Sequence, residues 1–322
     1  GEGTDALRAA LDQVPDVAAT PQGILIHATD TGPLQPGAAQ LLSAGARPHL
    51  QRGIDVLKAL CGGPVWLSKR QGEGHEALSG LTGVQEHTFM GPHPSGDPAV
   101  QVNYIHPPTG GGQVWYVSAW EAARIGELAA TGQLPDRRVY AAVGAGMKQP
   151  RFVSTVVGAP IAAILGEPAG DNRYIRGSVL TGDTTAHDLF GGYLTSAIHV
   201  LPSEVKRYLQ GWATPRFDAF SAHRLFLSGF IGAKNVDIRP GLHGGHREQV
   251  PVHSYRKVVA TPDIHPEFLL KAMQAGDLME SVNLGMLDIS MEEAALCTFV
   301  CPSKLEFDVV LQKGLDLYLQ EA

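Results

Sequence analysis

The chain is expected to fold as an α/β unit with a mostly parallel sheet, followed by a small α+β unit and a C-terminal helical unit. Three observations predict this. Apolar strand-like runs alternate with helix-period segments over ~125 residues from Gly23 onward, the signature of βα units. Beyond Lys148-Gln149-Pro150 the runs become short and β-like, with glycine-rich turns between them. The charge then reverses: residues 202–257 carry nine Lys/Arg against four Asp/Glu, whereas residues 261–322 carry three against eleven. The expected units are residues 1–148, 149–257 and 258–322.

The elements follow in chain order. Gly23-Ile24-Leu25-Ile26-His27-Ala28 is a continuous apolar run broken by Thr29-Asp30-Thr31-Gly32-Pro33, so it reads as a buried strand ending in a polar turn. Helices are expected over 38–44 and 50–60, the second with Ile54, Leu57 and Leu60 at helical spacing and Gly62-Gly63-Pro64 behind it. Strands are expected over 65–67 and 84–89, then a loop, Gly91-Pro92-His93-Pro94-Ser95-Gly96. Residues 100–105 and 113–117 read as two more strands joined by Pro107-Pro108-Thr109-Gly110-Gly111-Gly112. Residues 120–130 read as a helix stopped by Gly132, and 138–143 as a strand ending at Gly144-Ala145-Gly146. In the second unit, β-like runs cover 152–157, 174–180 and 197–201, with a short helix over 159–165. The tail predicts helices over 265–275, 277–282, 290–297 and 304–319. Ser290-Met291-Glu292-Glu293 has the capping-box spacing for the third of these.

Composition excludes several function classes. Lys+Arg 25 against Asp+Glu 32 gives a net charge of −7, which lacks the dense cationic face of a non-specific nucleic-acid binder. Three cysteines, Cys61, Cys297 and Cys301, are too few for a disulfide framework and point to a reducing compartment. The longest weakly charged apolar stretch, residues 153–165, is interrupted by Gly158 and Pro160 and falls short of the ~20 residues a spanning helix needs.

The standard catalytic signatures are missing. No phosphate-binding G-x-x-x-x-G-K-[ST], H-E-x-x-H or G-x-S-x-G string occurs. Gly144-Ala145-Gly146 opens a G-x-G-x-x-G pattern, but Gln149 replaces its last glycine and a β-like run follows, so it reads as a linking turn. Gly110-Gly111-Gly112 reads as a flexible hairpin loop rather than a phosphate cradle. His243-Gly244-Gly245-His246 has metal-binding residue types without a carboxylate or cysteine at ligand spacing, so a solvent loop is expected. Cys297 and Cys301 stand four apart, but four ligands would be needed for an iron–sulfur cluster, and buried packing is the expected role. No metal site is expected. His93, set between two prolines after a strand, is either an exposed turn residue or part of a ligand-contacting loop.

Five strings in order resemble the NqrA subunit of the sodium-translocating NADH:quinone oxidoreductase (NQR) family. They are Ala28-Thr29-Asp30-Thr31-Gly32-Pro33-Leu34, Gly53-Ile54-Asp55-Val56-Leu57, Gly91-Pro92-His93-Pro94-Ser95-Gly96, Gly177-Ser178-Val179-Leu180-Thr181-Gly182, and Ala295-Leu296-Cys297-Thr298-Phe299-Val300-Cys301-Pro302-Ser303-Lys304. The resemblance implies a Rossmann-like domain, a soluble-ligand-binding β-grasp (SLBB-like) domain and a C-terminal helical domain. It also implies kinship with the NADH-binding subunits of respiratory complex I and the Rnf complex, with their flavin and iron–sulfur sites lost. The family's N-terminal lipoyl-like domain has no counterpart here, which implies a shortened chain or a divergent relative. The function implied is that of a peripheral subunit on the cytoplasmic side of the bacterial inner membrane. It would work with the complex's other subunits toward quinone reduction, holding no cofactor of its own, with ubiquinone the substrate of the whole complex and no catalytic residue in this chain. Candidate quinone contacts are Asp30, Thr31 and Pro33 at the first strand end, His93 in the second loop, and Phe89 and Trp120 as ring-lining residues. The alternative is a nucleotide- or flavin-binding oxidoreductase.

Overall fold

The computed structural model describes Pro15 and residues 18–108, 112–167, 170–204, 214, 215, 217, 226–231 and 253–321. The expected His243/His246 loop and most of the basic segment lie outside the described residues.

The first sheet contains β1 (Gly23–His27), β2 (Val65–Arg70), β3 (Gln85–Phe89) and β4 (Val114–Ser118), all parallel in the order β3-β2-β1-β4. Between them run α1 (Ala38–Leu41), α2 (Arg47–Leu60) and α3 (Pro98–Ile105), and α4 (Ala119–Thr131) follows β4. Both faces of β1 are buried. Ile24 and Ile26 pack toward Leu50, Ile54 and Leu57 of α2, while Leu25 packs with Trp66, Val102 and Val114 on the other face. A strand covered on both sides must be apolar throughout, as this one is. Helices α2 and α4 press backbone to backbone: a Cβ on Gly53 would come 1.9 Å from the Ala122 carbonyl oxygen.

One expected strand is a helix. Residues 100–105 belong to α3, because Asp97 accepts a hydrogen bond from the Ala99 amide (2.9 Å) and Pro98 occupies the first turn. This cap and the preset proline dihedral start a helix that the apolar run alone does not distinguish from a strand. Gly112 therefore lies between a helix and a strand, not in a hairpin, while residues 109–111 are outside the described set.

The second sheet has the order β6-β5-β9-β7-β8, formed by β5 (Arg137–Val143), β6 (Arg151–Val156), β7 (Asn172–Arg176), β8 (Asp183–Thr185) and β9 (Ala197–Pro202). Among the described residues only the β5–β9 pair of this sheet is parallel. The short helix α5 (Ile161–Leu165) covers one face through Ile161, Ile164 and Leu165 against Tyr140, Ile198 and Val200. The strand expected over 174–180 stops at Arg176: Gly177 adopts φ +97°, and residues 178–182 close a turn through the Gly182 amide and Ser178 carbonyl. Gly144-Ala145-Gly146 turns the chain out of β5 beside Val200, a linking turn as expected.

After α6 (Ser228–Ile231), the tail forms α7 (Pro266–Ala275), α8 (Leu278–Asn283), α9 (Met291–Val300) and α10 (Phe307–Glu321) around Tyr255, Leu269, Met286, Phe307 and Leu311. Ser290 and Glu293 complete the expected capping box of α9. Cys297 and Cys301 are buried, reduced members of this core. Among the described residues, no helix is long and apolar enough to cross a membrane and no cluster of three metal-ligating side chains occurs.

Candidate functional site

The strand order reverses at β1: the chain steps from β1 to β2 to β3 on one side, then places β4 on the other. Ligands of open α/β sheets bind at such a switch point, outside the carboxyl ends of the strands. Two cavities lie here, of about 270 and 310 Å³, and His27, Asp30 and Tyr116 contribute to both.

The first cavity is built where the three parts of the chain meet. From the first sheet come the Asp30 turn, the His93 loop and the start of α3. Ser178 and Thr181 come from the turn after β7, and residues 287–292 from the entrance to α9. Direct hydrogen bonds tie these segments together. Gln35 Nε2 donates to the Gly177 carbonyl (2.9 Å), Asn103 Nδ2 to the Asp288 carbonyl (2.9 Å), and Ser290 Oγ to Asp97 Oδ2 (2.7 Å).

His93 and Glu292 form the central junction. His93 Nε2 lies 3.2 Å from Glu292 Oε2, and His93 Nδ1 lies 3.2 Å from Thr31 Oγ1, which accepts from the Gly96 amide at 2.9 Å. A neutral imidazole with its proton on Nε2 satisfies all three bonds, donating to Glu292 and accepting from Thr31. Thr181 Oγ1 donates to the other Glu292 oxygen at 2.5 Å. Burial opposes the Glu292 charge, but the hydrogen bonds from His93, Thr181 and Ser178 outweigh it and hold the carboxyl below its ordinary range.

The other titratable groups of the cavity are shifted toward neutrality. Burial pushes the Asp30 carboxyl up to about 6, against the hydrogen bond it accepts from the Gly32 amide. Burial pushes Asp97 up to about 7, opposed by the Ser290 hydroxyl. Burial takes the His27 imidazole down to about 4, so it is neutral near pH 7. Two carboxyls that exchange protons near neutrality thus face walls that include Val102, Val114, Leu287, Ile289 and Leu315. This combination suits an uncharged ring with a hydrogen-bonding oxygen.

The structure brings together Asp30, Thr31 and His93 but separates the remaining candidates. Pro33 is half-buried and lines neither cavity; nor does Phe89, half-buried at the end of the edge strand β3. Trp120 lines the second cavity, away from His93. Sequence reasoning missed Asp97, Glu292, Thr181 and His27. Asp97-Pro98 carried a helix-start signal that pointed to Asp97, and Glu292 stood inside the capping-box string, but no spacing rule joins residues 93 and 292.

Comparison with known proteins agrees with this layout. A family model described as NqrA second alpha/beta domain matches residues 7–134, spanning β1 to α4, and an SLBB model described as NQRA C-terminal domain matches residues 139–187. The chain is 33% identical over 305 residues to the NqrA subunit of the Na(+)-translocating NADH-quinone reductase of Tolumonas auensis, covering 94% of this chain and 67% of that protein. It is 34% identical over 313 residues to the same subunit of Neisseria meningitidis serogroup B, covering 96% and 69%. The chain belongs to the NqrA family of Na(+)-translocating NADH-quinone reductase subunits. The NqrA subunit of Pasteurella multocida is likewise 34% identical, over 94% of this chain and 68% of its own length. Among solved structures, an NAD+-reducing [NiFe]-hydrogenase in the H2-reduced state aligns with a TM-score of 0.44 and 12% identity, over 93% of this chain and 55% of that one. The Rossmann-like and SLBB-like expectations agree with the sheets and family models found.

Proposed function

We propose that this chain is a peripheral subunit of a Na(+)-translocating NADH-quinone reductase, contributing to quinone reduction or to assembly of the complex without a flavin or iron–sulfur cluster of its own. The observation that carries this reading is 34% identity along 96% of the chain to relatives bearing that name. It acts beside other subunits of the complex on the cytoplasmic side of the bacterial inner membrane, with residues 1–148, 149–257 and 258–322 as its working units. Within the first cavity, Asp30 shares its proton with a quinone oxygen, His93 closes the polar end, and Thr31 fixes the His93 ring. Pro33 and Phe89 take no part in this assignment, and Trp120 belongs to the neighbouring cavity. The nucleotide-binding alternative has less support, because β1 runs into Thr29-Asp30-Thr31-Gly32-Pro33, with one glycine where a dinucleotide turn uses three.

Membrane vesicles from cells producing the other subunits with and without this chain test the assignment. Na+-stimulated NADH:ubiquinone reduction is expected only with the chain present; equal rates without it refute the reading. The quinone contact is tested separately with a water-soluble ubiquinone. Trp66 packs with Val102 and Val114, which line the first cavity, so quenching of the remaining tryptophan emission in a Trp120→Phe background reports occupancy. Quenching that weakens in Asp30→Asn and His93→Ala supports the contact, and an unchanged spectrum rejects it.

A further inference from the structure

The first cavity is unbalanced in its hydrogen bonding. Asp30, Asp97, Asp288 and Glu292 line it, and among the described residues no lysine or arginine does. The donors beside the inner carboxyls are already spent. His93 Nε2 and the Thr181 hydroxyl serve Glu292, and the Ser290 hydroxyl serves Asp97. Asp288 stands at the exposed rim. Asp30 differs from the others. It is half-buried at the carboxyl end of β1, its Oδ1 accepts the Gly32 amide at 2.9 Å, and its Oδ2 meets no donor among the described residues. That oxygen is the open polar atom at the closed end of an otherwise satisfied cavity.

An ionised carboxylate only accepts hydrogen bonds, whereas a protonated carboxyl also donates. A quinone carbonyl only accepts, and a hydroquinone hydroxyl can donate. The two redox forms of one ring therefore ask opposite things of Asp30. The titratable and charged groups around Asp30 are His27 on its own strand, His93 in the loop before α3, Asp97 at the start of α3 and Glu292 in the first turn of α9. Across the second cavity stand Glu121 and Arg138, which pair with each other. Burial raises the Asp30 carboxyl to about 6, with the Glu292 charge acting in the same sense and the Gly32 amide and His93 against it, so both of its protonation states are reached near neutral pH.

We infer that Asp30 sorts the redox forms of the ring that enters the first cavity: the carboxylate takes the hydroquinone through its hydroxyl, and the protonated carboxyl takes the quinone through its carbonyl. The inference rests on the quinone reading above and adds to it which form is held and by which atom. Asp30 Oδ2 discriminates in both cases. Tyr116, Gln35 and Asn103 also line the cavity, but a phenol or an amide can both donate and accept, so they serve the second oxygen of either form.

Calorimetric titration of the whole chain under argon at pH 5 and pH 8 tests the inference, with a water-soluble ubiquinone, its hydroquinone and the dimethyl ether of that hydroquinone. A carboxyl titrating at about 6 is roughly one-tenth ionised at pH 5 and almost fully ionised at pH 8. The ratio of hydroquinone to quinone affinity is therefore expected to rise by about tenfold or more from pH 5 to pH 8. The dimethyl ether keeps the ring and loses both hydroxyls, so its affinity is expected not to rise with pH. Asp30→Asn holds an uncharged side chain at both pH values and is expected to leave the ratio flat. Asp97→Asn removes the other carboxyl that titrates near neutrality and is expected to retain the rise. Circular dichroism at each pH confirms that the variants fold. A wild-type ratio that does not change with pH overturns the inference while the quinone contact stands, and so does a rise that survives in Asp30→Asn or is matched by the dimethyl ether. Binding of neither redox form at about 1 mM removes the quinone contact itself, and this inference with it.

Discussion

Replacing Glu293 with alanine is expected to undo the entrance to α9 and with it one wall of the first cavity. Glu293 is fully buried. Its carboxylate accepts hydrogen bonds from the Ala260 amide (2.7 Å), the Thr261 amide (2.8 Å), the Thr261 hydroxyl (2.8 Å) and the Ser290 amide (3.1 Å). Alanine leaves three backbone amides without their acceptor. Counting about 1–1.5 kcal/mol for each of the four bonds gives about 4–6 kcal/mol, and partial hydration of the exposed amides reduces the expected loss to about 4 kcal/mol. Urea unfolding followed by far-ultraviolet circular dichroism measures the loss. Amide hydrogen exchange localises it, because the Ala260 and Thr261 protons should lose protection while those of β1 and β2 do not. A stability change under about 1 kcal/mol, or unaltered exchange at Ala260 and Thr261, refutes the assignment of Glu293 as the tie between α9 and the 260 segment.

Four further outcomes follow from the same geometry. A carboxyl raised in the folded state takes up a proton on folding, so its stabilising contribution is complete below the unfolded value and disappears as pH rises through the folded one. Asp97, raised to about 7, should therefore make stability fall between about pH 4 and 7, and Asp97→Asn, which retains a capping side chain, should flatten that slope in urea titrations. His27, depressed to about 4, acts in the opposite sense, its contribution declining as pH drops from 6.5 toward 4, and the His27→Gln variant isolates it. Gly53→Ala should cost about 3 kcal/mol or prevent folding, since its Cβ would sit 1.9 Å from the Ala122 oxygen; a wild-type urea midpoint contradicts the close packing of α2 on α4. Glu121→Gln should cost about 3–5 kcal/mol, because Arg124 and Arg138 then share no counter-charge, and a wild-type midpoint would show the cluster to be hydrated.

Much of the fold was legible from local pattern. Ile24-Leu25-Ile26 could be placed as a buried strand because both of its faces meet apolar neighbours. The C-terminal helices could be bounded because a capping box and helical periodicity are carried within one stretch of chain. Where two local signals competed, at residues 98–105, the apolar run argued for a strand and the Asp97-Pro98 start for a helix; the cap prevailed because it satisfies a backbone amide directly. The site was legible only in part. Asp30 and His93 could be chosen because strand-end loops of α/β sheets hold ligands, yet Phe89, equally near a strand end, sits on an edge strand away from both cavities.

The sequence by itself determined the order of the elements, the separate helical tail and the absence of the usual catalytic strings, since each depends on residues close together along the chain. Tertiary structure alone decided that His93 meets Glu292 across 199 positions, that Asp97 meets Ser290, and that Trp120 faces a different cavity from His93. Hydrogen bonds and cavity walls form between whatever surfaces packing brings together, and the packing of three separate units is not written in the periodicity of any one of them.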